Sequence, residues 1–348
     1  MARRHLAFAL LLGCGTSSAT PDDAAVATDA AAEVADAHDA GHDIAIDETG
    51  FTFSGPKTLQ ETGLYADFTA RTIAADVIPF TVRYELWSDG VTKKRWLKLP
   101  PGTKIDTTDP DHWVFPVGTK LWKEFSTPDM LRPFETRYLV KLPSGKWDMV
   151  GYAWQHEADV TVAAPGGLTD IHATKHDVPS TEQCHVCHDG VKDGAIGPSL
   201  YQLSKQQIDG KPALAELFAR GLLDKKVDEI DPPGTGTVQD ALGYLHANCG
   251  HCHNDAGLWA PVVPMRLRLR ASDTTPESTW IYSTTLGKKA KHVLAGGVDT
   301  IVVAGNPDVS QLFVRMGKRD LEQMPPLGTE DLDSKGLATV KAWIVGLK

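Results

Sequence analysis

The sequence predicts a chain of mixed β and α structure. A β-rich, sandwich-like N-terminal domain is followed by an α-helical region. Two observations carry this expectation. Between residues 51 and 172, short runs that alternate polar and apolar residues are separated by Gly/Pro turns. Beyond about residue 238, apolar residues fall at helical spacing behind capping residues. Two C-x-x-C-H runs lie in the later part of the chain, at Cys184–His188 and Cys249–His253.

Residues 1–13 read as an export leader. Arg3 and Arg4 form a short positive region, and Leu6 to Leu12 is an apolar run too short to span a bilayer. The run ends Leu11-Leu12-Gly13-Cys14, which resembles the lipobox of bacterial lipoproteins. Cys14 is therefore the expected lipidation site, against the alternative of an ordinary leader with an incidental cysteine. Residues 14–50 are expected to form a disordered tether. Ala, Asp, Thr and Ser dominate it, and it contains no Phe, Trp or Tyr, so it has too little apolar surface to offset its ordering entropy. His38 and His42 read as solvated tether histidines.

The β-rich domain spans 51–172. Its expected strands are Thr81 to Trp87, Lys94 to Leu99, Lys120 to Phe125 and Thr136 to Leu142. Turn signals separate them at Ser88-Asp89-Gly90, Pro100-Pro101-Gly102, Pro116-Val117-Gly118 and Pro143-Ser144-Gly145. Many short strands with such turns suggest a sandwich or barrel. Six of the nine tryptophans lie here: Trp87, Trp96, Trp113, Trp122, Trp147 and Trp154. They are expected to pack the core; exposed in a row, they would instead suit a carbohydrate. His112 and His156 have no ligand-like spacing.

Residues 173–237 hold the first motif, and 238–348 the second. One helix is expected from about Val238 to Asn248. Another opens at Asn306-Pro307 and runs through Leu312, Phe313 and Met316, and a last one starts near Asp333-Ser334. A helix leading into C-x-x-C-H and a terminal helix packed behind it are what a cytochrome c-like domain requires.

The chain has five cysteines, and all but Cys14 lie in the two motifs. None is left for a disulfide framework. The spacing suits covalent haem c: Cys184 and Cys187, and Cys249 and Cys252, would add to haem vinyls, with His188 and His253 as iron ligands. Two haems are thus expected. For the second, Met324 in Gln323-Met324-Pro325-Pro326-Leu327-Gly328 is the candidate axial thioether, with Met265 and Met316 as rivals. For the first, three outcomes stay open. His176 or His246 completes a bis-histidine haem; the iron stays five-coordinate and reactive; or His172, His176, Cys184 and Cys187 hold zinc. His185 and His251 occupy variable motif positions and are not expected to be ligands. Gly197-Pro198-Ser199-Leu200 reads as a haem-flanking loop.

The formal charge of −10 argues against nucleic acid as a partner. Lys288, Lys289 and Lys291 form only a modest basic cluster. Export agrees with haem attachment, which takes place outside the cytoplasm.

Several phrases together resemble a known family. They are Leu86-Trp87-Ser88-Asp89-Gly90, Arg95 to Gly102, Trp113 to Thr119, Glu135-Thr136-Arg137, Tyr244 to His253 and Gln323 to Thr329. The likeness covers most of residues 60–348 and is to secreted bacterial dihaem c-type cytochromes with a β-rich N-terminal domain. It implies haem binding and electron transfer, without a settled substrate. The leading expectation is a membrane-anchored electron carrier in the cell envelope, periplasmic or at the outer membrane or cell surface, serving a redox partner protein. A haem-dependent oxidoreductase acting at the first haem or the β domain is the second expectation. A carbohydrate- or surface-binding lipoprotein with a haem or zinc module is the third. No nucleophile-and-base set or telling carboxylate pair points to catalysis.

Overall fold

Five consecutive hairpin-like steps build the sheet that dominates the β-rich half. The computed structural model describes residues 53–127, 133–155, 159–203, 210–211 and 213–348. The residues expected to form the leader and the tether, with Cys14, His38 and His42, and also His156, lie outside the described residues. A small pair, β1 (Tyr65–Asp67) and β2 (Thr72–Ile73), precedes the main sheet. The sheet itself is an antiparallel meander of β3 (Ile78–Phe80), β4 (Thr92–Lys98), β5 (Lys120–Ser126), β6 (Glu135–Lys141), β7 (Trp147–Gln155) and β8 (Val160–Ala163), in that spatial order. A second small pair, β9 (Lys289–Leu294) and β10 (Val298–Thr300), lies in the later half.

The register sorts the side chains onto two faces. Trp96, Trp122, Tyr138 and Val150 stand opposite one another across β4 to β7. With Tyr152 and Trp154 they pack against Leu59, Leu64 and Val77 from the chain before the sheet. Leu97, Leu121, Leu139 and Met149 form the neighbouring row on the other face. That face is covered by later residues, among them Leu200, Leu203, Leu214, Leu217 and Leu223.

Mixed β and α structure is therefore as expected, with two differences in detail. One sheet with both faces covered takes the place of two packed sheets. Alternation and bulky apolar residues report that a face is buried, not what buries it. The expected strand Thr81 to Trp87 is irregular, because its donors turn to the helical half. Arg83 N–H donates to the Gln202 carbonyl (2.7 Å), Tyr84 N–H to Gln202 Oε1 (3.2 Å) and Trp87 N–H to Asn248 Oδ1 (2.7 Å). Trp96, Trp113, Trp122, Trp147 and Trp154 are buried, so these five rings pack the core. Trp87 is half-buried.

The helices are α1 (Thr181–His188), α2 (Leu214–Ala219), α3 (Thr237–Asn248), α4 (Trp280–Thr285), α5 (Gln311–Met316) and α6 (Ser334–Gly346). α3 and α6 match the expected spans and pack together. Ala241, Leu242 and Leu245 meet Val340, Trp343 and Ile344 in one apolar cluster. Gly336 permits the contact, since a Cβ there would lie 2.3 Å from the Tyr244 ring. Asp333 caps α6, its Oδ1 accepting from Gly336 N–H at 2.8 Å. The helix expected from Asn306 is broken. Pro307–Val309 forms a 3-10 turn, Ser310 is extended, and its buried hydroxyl accepts from Val303 N–H (2.8 Å) and donates to the Asn306 carbonyl (2.7 Å). Among the described residues no helix is long and apolar enough to cross a membrane.

Candidate cofactor-binding site

α1 presents the first motif. Ser180 caps it reciprocally with Gln183, each side chain accepting from the other's backbone N–H at 3.1 and 2.9 Å. Thr181 Oγ1 donates to the Met149 carbonyl (3.0 Å) and fixes the helix to β7. Cys184, Cys187 and His188 are related by three and four residues, which places them on one helix face. Cys184 packs against the apolar cluster on the sheet, and burial pushes its thiol up to about 12.

The His188 tautomer is set by one bond. Its Nδ1 lies 2.6 Å from the Gly194 carbonyl, which only accepts, so Nδ1 carries the proton and Nε2 keeps its lone pair. Gly194 has φ +78°, and a Cβ there would lie 2.6 Å from the Trp147 indole; glycine lets this carbonyl approach. Burial lowers the His188 pKa to about 4, so the ring is neutral at neutral pH. Two thiols and one free imidazole nitrogen on a single face are a donor set able to hold a c-type haem.

The second motif continues α3. The Cys249 carbonyl accepts from Cys252 N–H (3.2 Å) and His253 N–H (2.8 Å), so the motif makes a further helical turn. At Gly250 a Cβ would lie 2.6 Å from the His246 carbonyl and 3.0 Å from Arg268 Cα. The Asn254 amide closes the turn by donating to the Gly250 and His251 carbonyls (2.9 and 2.8 Å). Burial raises the Cys249 thiol to about 12, and burial followed by the nearby His251, Arg315 and Arg266 lowers His253 to about 4.

The two motifs meet, 65 residues apart in sequence. Ligand atoms of Cys187, His251 and Cys252 all lie within 4.8 Å of one another. A Cβ at Gly190 would fall 2.8 Å from the His251 carbonyl, so the turn after the first motif rests on the backbone of the second. Hydrogen bonding from Cys252 draws the Cys187 thiol well down, and the same bond pushes Cys252 up. His251, which the sequence does not mark as a ligand, thus sits between the motifs, and among the described residues its buried Nδ1 has no hydrogen-bond partner.

The other candidate ligands are placed differently. His176 is buried and its Nε2 lies 2.5 Å from Glu135 Oε2, with its ring against Phe125 and Phe134. His246 Nδ1 accepts from Leu269 N–H at 3.0 Å, which puts the proton on Nε2. Neither offers a free Nε2. His172 Nε2 donates to the Trp154 carbonyl (2.7 Å). Among the described residues, His172, His176, Cys184 and Cys187 do not gather into the alternative zinc set.

Met265 and Met316 belong to the α3/α6 apolar cluster. Met324 lies outside every apolar cluster and is half-buried. Its N–H donates to the Arg315 carbonyl (3.0 Å), and Arg315 Nε donates to the Glu322 carbonyl (2.8 Å). The same Arg315 acts electrostatically on His253, so the Met324 loop is pinned by a residue of the second motif's surroundings.

Sequence reasoning missed a brace around this motif. Asn248, just ahead of Cys249, accepts from Trp87 N–H and donates to the Glu85 carbonyl (3.0 Å). Trp87 Nε1 donates to the Asp331 carbonyl (3.0 Å), and Asp89 Oδ1 accepts from Glu330 and Asp331 N–H (2.9 and 2.8 Å). The Trp87-Ser88-Asp89-Gly90 turn thereby ties the start of the second motif to the chain just beyond Met324. Compared with known proteins, the chain matches no family model, no curated protein and no solved structure.

Proposed function

We propose that the protein is an envelope electron carrier holding two c-type haems, one on each C-x-x-C-H motif. The observation that carries this reading is the meeting of Cys187 and Cys252, whose ligand atoms lie within 4.8 Å. Cofactors fixed through those two thiols would be held close together by the protein itself. Cys184, Cys187 and His188 would hold the first haem, and Cys249, Cys252, His253 and Met324 would hold the second. Each haem supplies a site that takes up and releases one electron. The chain's own contribution is placement: the Gly194 carbonyl orients His188, and Arg315 and Asp89 pin the loop that carries Met324. The packed α3/α6 pair supports a cytochrome c-like C-terminal domain, and the resemblance to secreted dihaem cytochromes supports the same assignment. The leader and Cys14 support export and lipid anchoring, where a redox partner protein of the envelope would be met.

This predicts magnetic coupling between the two oxidised haems. The electron paramagnetic resonance spectrum of the oxidised full-length protein should show signals broadened or split by the neighbouring iron. Two unperturbed, independent ferric signals would contradict the adjacency.

A second reading is favoured by one observation. Neither His176 nor His246 offers a free Nε2, and no methionine occurs between His188 and Cys249. A first haem with an open face would bind small molecules and act as an oxidoreductase. Carbon monoxide binding to one of the two reduced haems supports this reading; binding to neither removes it.

A further inference from the structure

Three cations stand in cross-strand register on the sheet face that carries α1. Arg95 on β4 is opposite Lys123 on β5, and Lys123 is opposite Arg137 on β6. Alternation puts them on the same face as Leu97, Leu121 and Leu139, with Lys93 one step further along β4. The side chains of Lys93 and Arg95 are only 3% and 7% exposed, whereas Arg137 is 24% exposed and Lys123 is half-buried. Like charges directly opposite in a sheet repel, and buried cations are costly without counter-ions.

The carboxylates present do not balance this row. Glu85 serves both Arg95 (3.2 Å) and Lys93 (3.8 Å). Glu135 takes Arg137 through two bonds (2.7 and 3.1 Å) and also His176. Lys123 makes no ion pair or hydrogen bond with the described residues; its Nζ lies 4.9 Å from the Phe125 ring centroid. With Lys123 protonated, four cations against two carboxylates leave two positive charges. Burial and the neighbouring Arg95, Arg137 and Lys93 all push the Lys123 ammonium towards its neutral form. From α1, the groups whose charge reaches this row are Cys184 and Cys187, which act on Arg137, and His188, on which Lys123 acts. Glu182 and Asp189 of that region are exposed.

We propose that Arg95, Lys123 and Arg137, with Lys93, form a carboxylate seat for the group held by the first motif, taking the two propionates of the haem bound to Cys184 and Cys187. This rests on the dihaem reading above. A haem propionate pair carries the two negative charges that the row lacks. Covalent attachment beside the row also keeps those carboxylates at high effective concentration. A free small carboxylate has the same chemistry, but it reaches the row only by mass action.

The test uses full-length haem-loaded protein, Lys123→Met, and Lys123→Arg as the charge-keeping control. Haem content is counted first, then both reduction potentials are measured with and without added acetate. A cation beside propionates stabilises the reduced, more negative haem. Lys123→Met should therefore keep two haems and move one of the two potentials to a more negative value, leaving the other in place. Lys123→Arg should stay near wild type, and acetate should change nothing. Unchanged potentials in Lys123→Met overturn the seat. A wild-type potential that moves with acetate, and ceases to do so in Lys123→Met, overturns the propionate assignment in favour of a free carboxylate. If Lys123→Met loads poorly, Lys123→Gln, similar in length and uncharged, carries the same measurement. Fewer than two haems in the wild type would count against the dihaem reading itself, separately from the seat.

Discussion

Replacing Asn248 with alanine should loosen the joint between the sheet and the second motif. Asn248 is 8% exposed and makes three hydrogen bonds. Its Oδ1 accepts from Trp87 N–H at 2.7 Å, and its Nδ2 donates to the carbonyls of Glu85 (3.0 Å) and Tyr244 (3.2 Å). Each lost amide donor bond is worth about 0.5–1.5 kcal/mol net, and stranding the Trp87 N–H away from water adds about 1–3 kcal/mol. The Tyr244 bond is long and its carbonyl already lies in a helix, so the low end applies there. The expected loss is about 3 kcal/mol, roughly a hundredfold in the folding equilibrium. Urea denaturation of the full-length protein measures it as a lower midpoint at an unchanged slope. A loss below about 1 kcal/mol would refute the reasoning, because it would mean that the Trp87 segment is held by something other than Asn248.

Three further outcomes follow from particular contacts. Gly243→Ala places a Cβ 2.1 Å from the Tyr84 ring, and overpacking of this kind should cost about 1–3 kcal/mol despite alanine's better helix propensity; in a Tyr84→Ala background the penalty measured by denaturation should largely vanish. Met324→Ala should remove the low-spin methionine signature of one haem and lower its potential, with the other haem unchanged; an unaltered visible and near-infrared spectrum would place the axial ligand elsewhere. His246 has its pKa lowered to about 3 by burial, then by Arg268 and His251, against about 6.5 in the unfolded chain. The unfolded state therefore binds the proton between these values, so the His246 contribution to stability is full above pH 6.5 and is lost as pH drops towards 3, by at most about 1.4 kcal/mol per unit. His246→Gln keeps an acceptor for Leu269 N–H and should make the slope between pH 4 and 6 shallower by that share, leaving the part due to His188 and His253; an unchanged slope would assign it to other groups.

The parts legible in the sequence were those fixed by local pattern. β4, β5 and β6 follow from alternation, and α3 and α6 from apolar spacing with a capping aspartate at Asp333. The two C-x-x-C-H runs are visible as spacing alone. What escaped depends on long-range partners. Thr81 to Trp87 has a strand's composition, yet Gln202 and Asn248 take its backbone donors. His176 and His246 have suitable positions in sequence, but Glu135 and Leu269 N–H decide which nitrogen carries the proton. The cationic row was half visible: alternation places each of Arg95, Lys123 and Arg137 on the same face as its apolar neighbours, but only the strand register sets the three opposite one another. The meeting of Cys187 with Cys252 had no local signal at all.

The central claim, that both motifs carry covalent haem, is tested most directly by counting. The full-length protein, exported from a host that attaches c-type haem, is measured by pyridine haemochrome absorbance against protein concentration and by intact mass. The account predicts two haems per chain and a mass raised by two haem groups, falling to one in a Cys249→Ala, Cys252→Ala double variant. No covalent haem, or a single haem unaffected by loss of the Cys184/Cys187 pair, would contradict it.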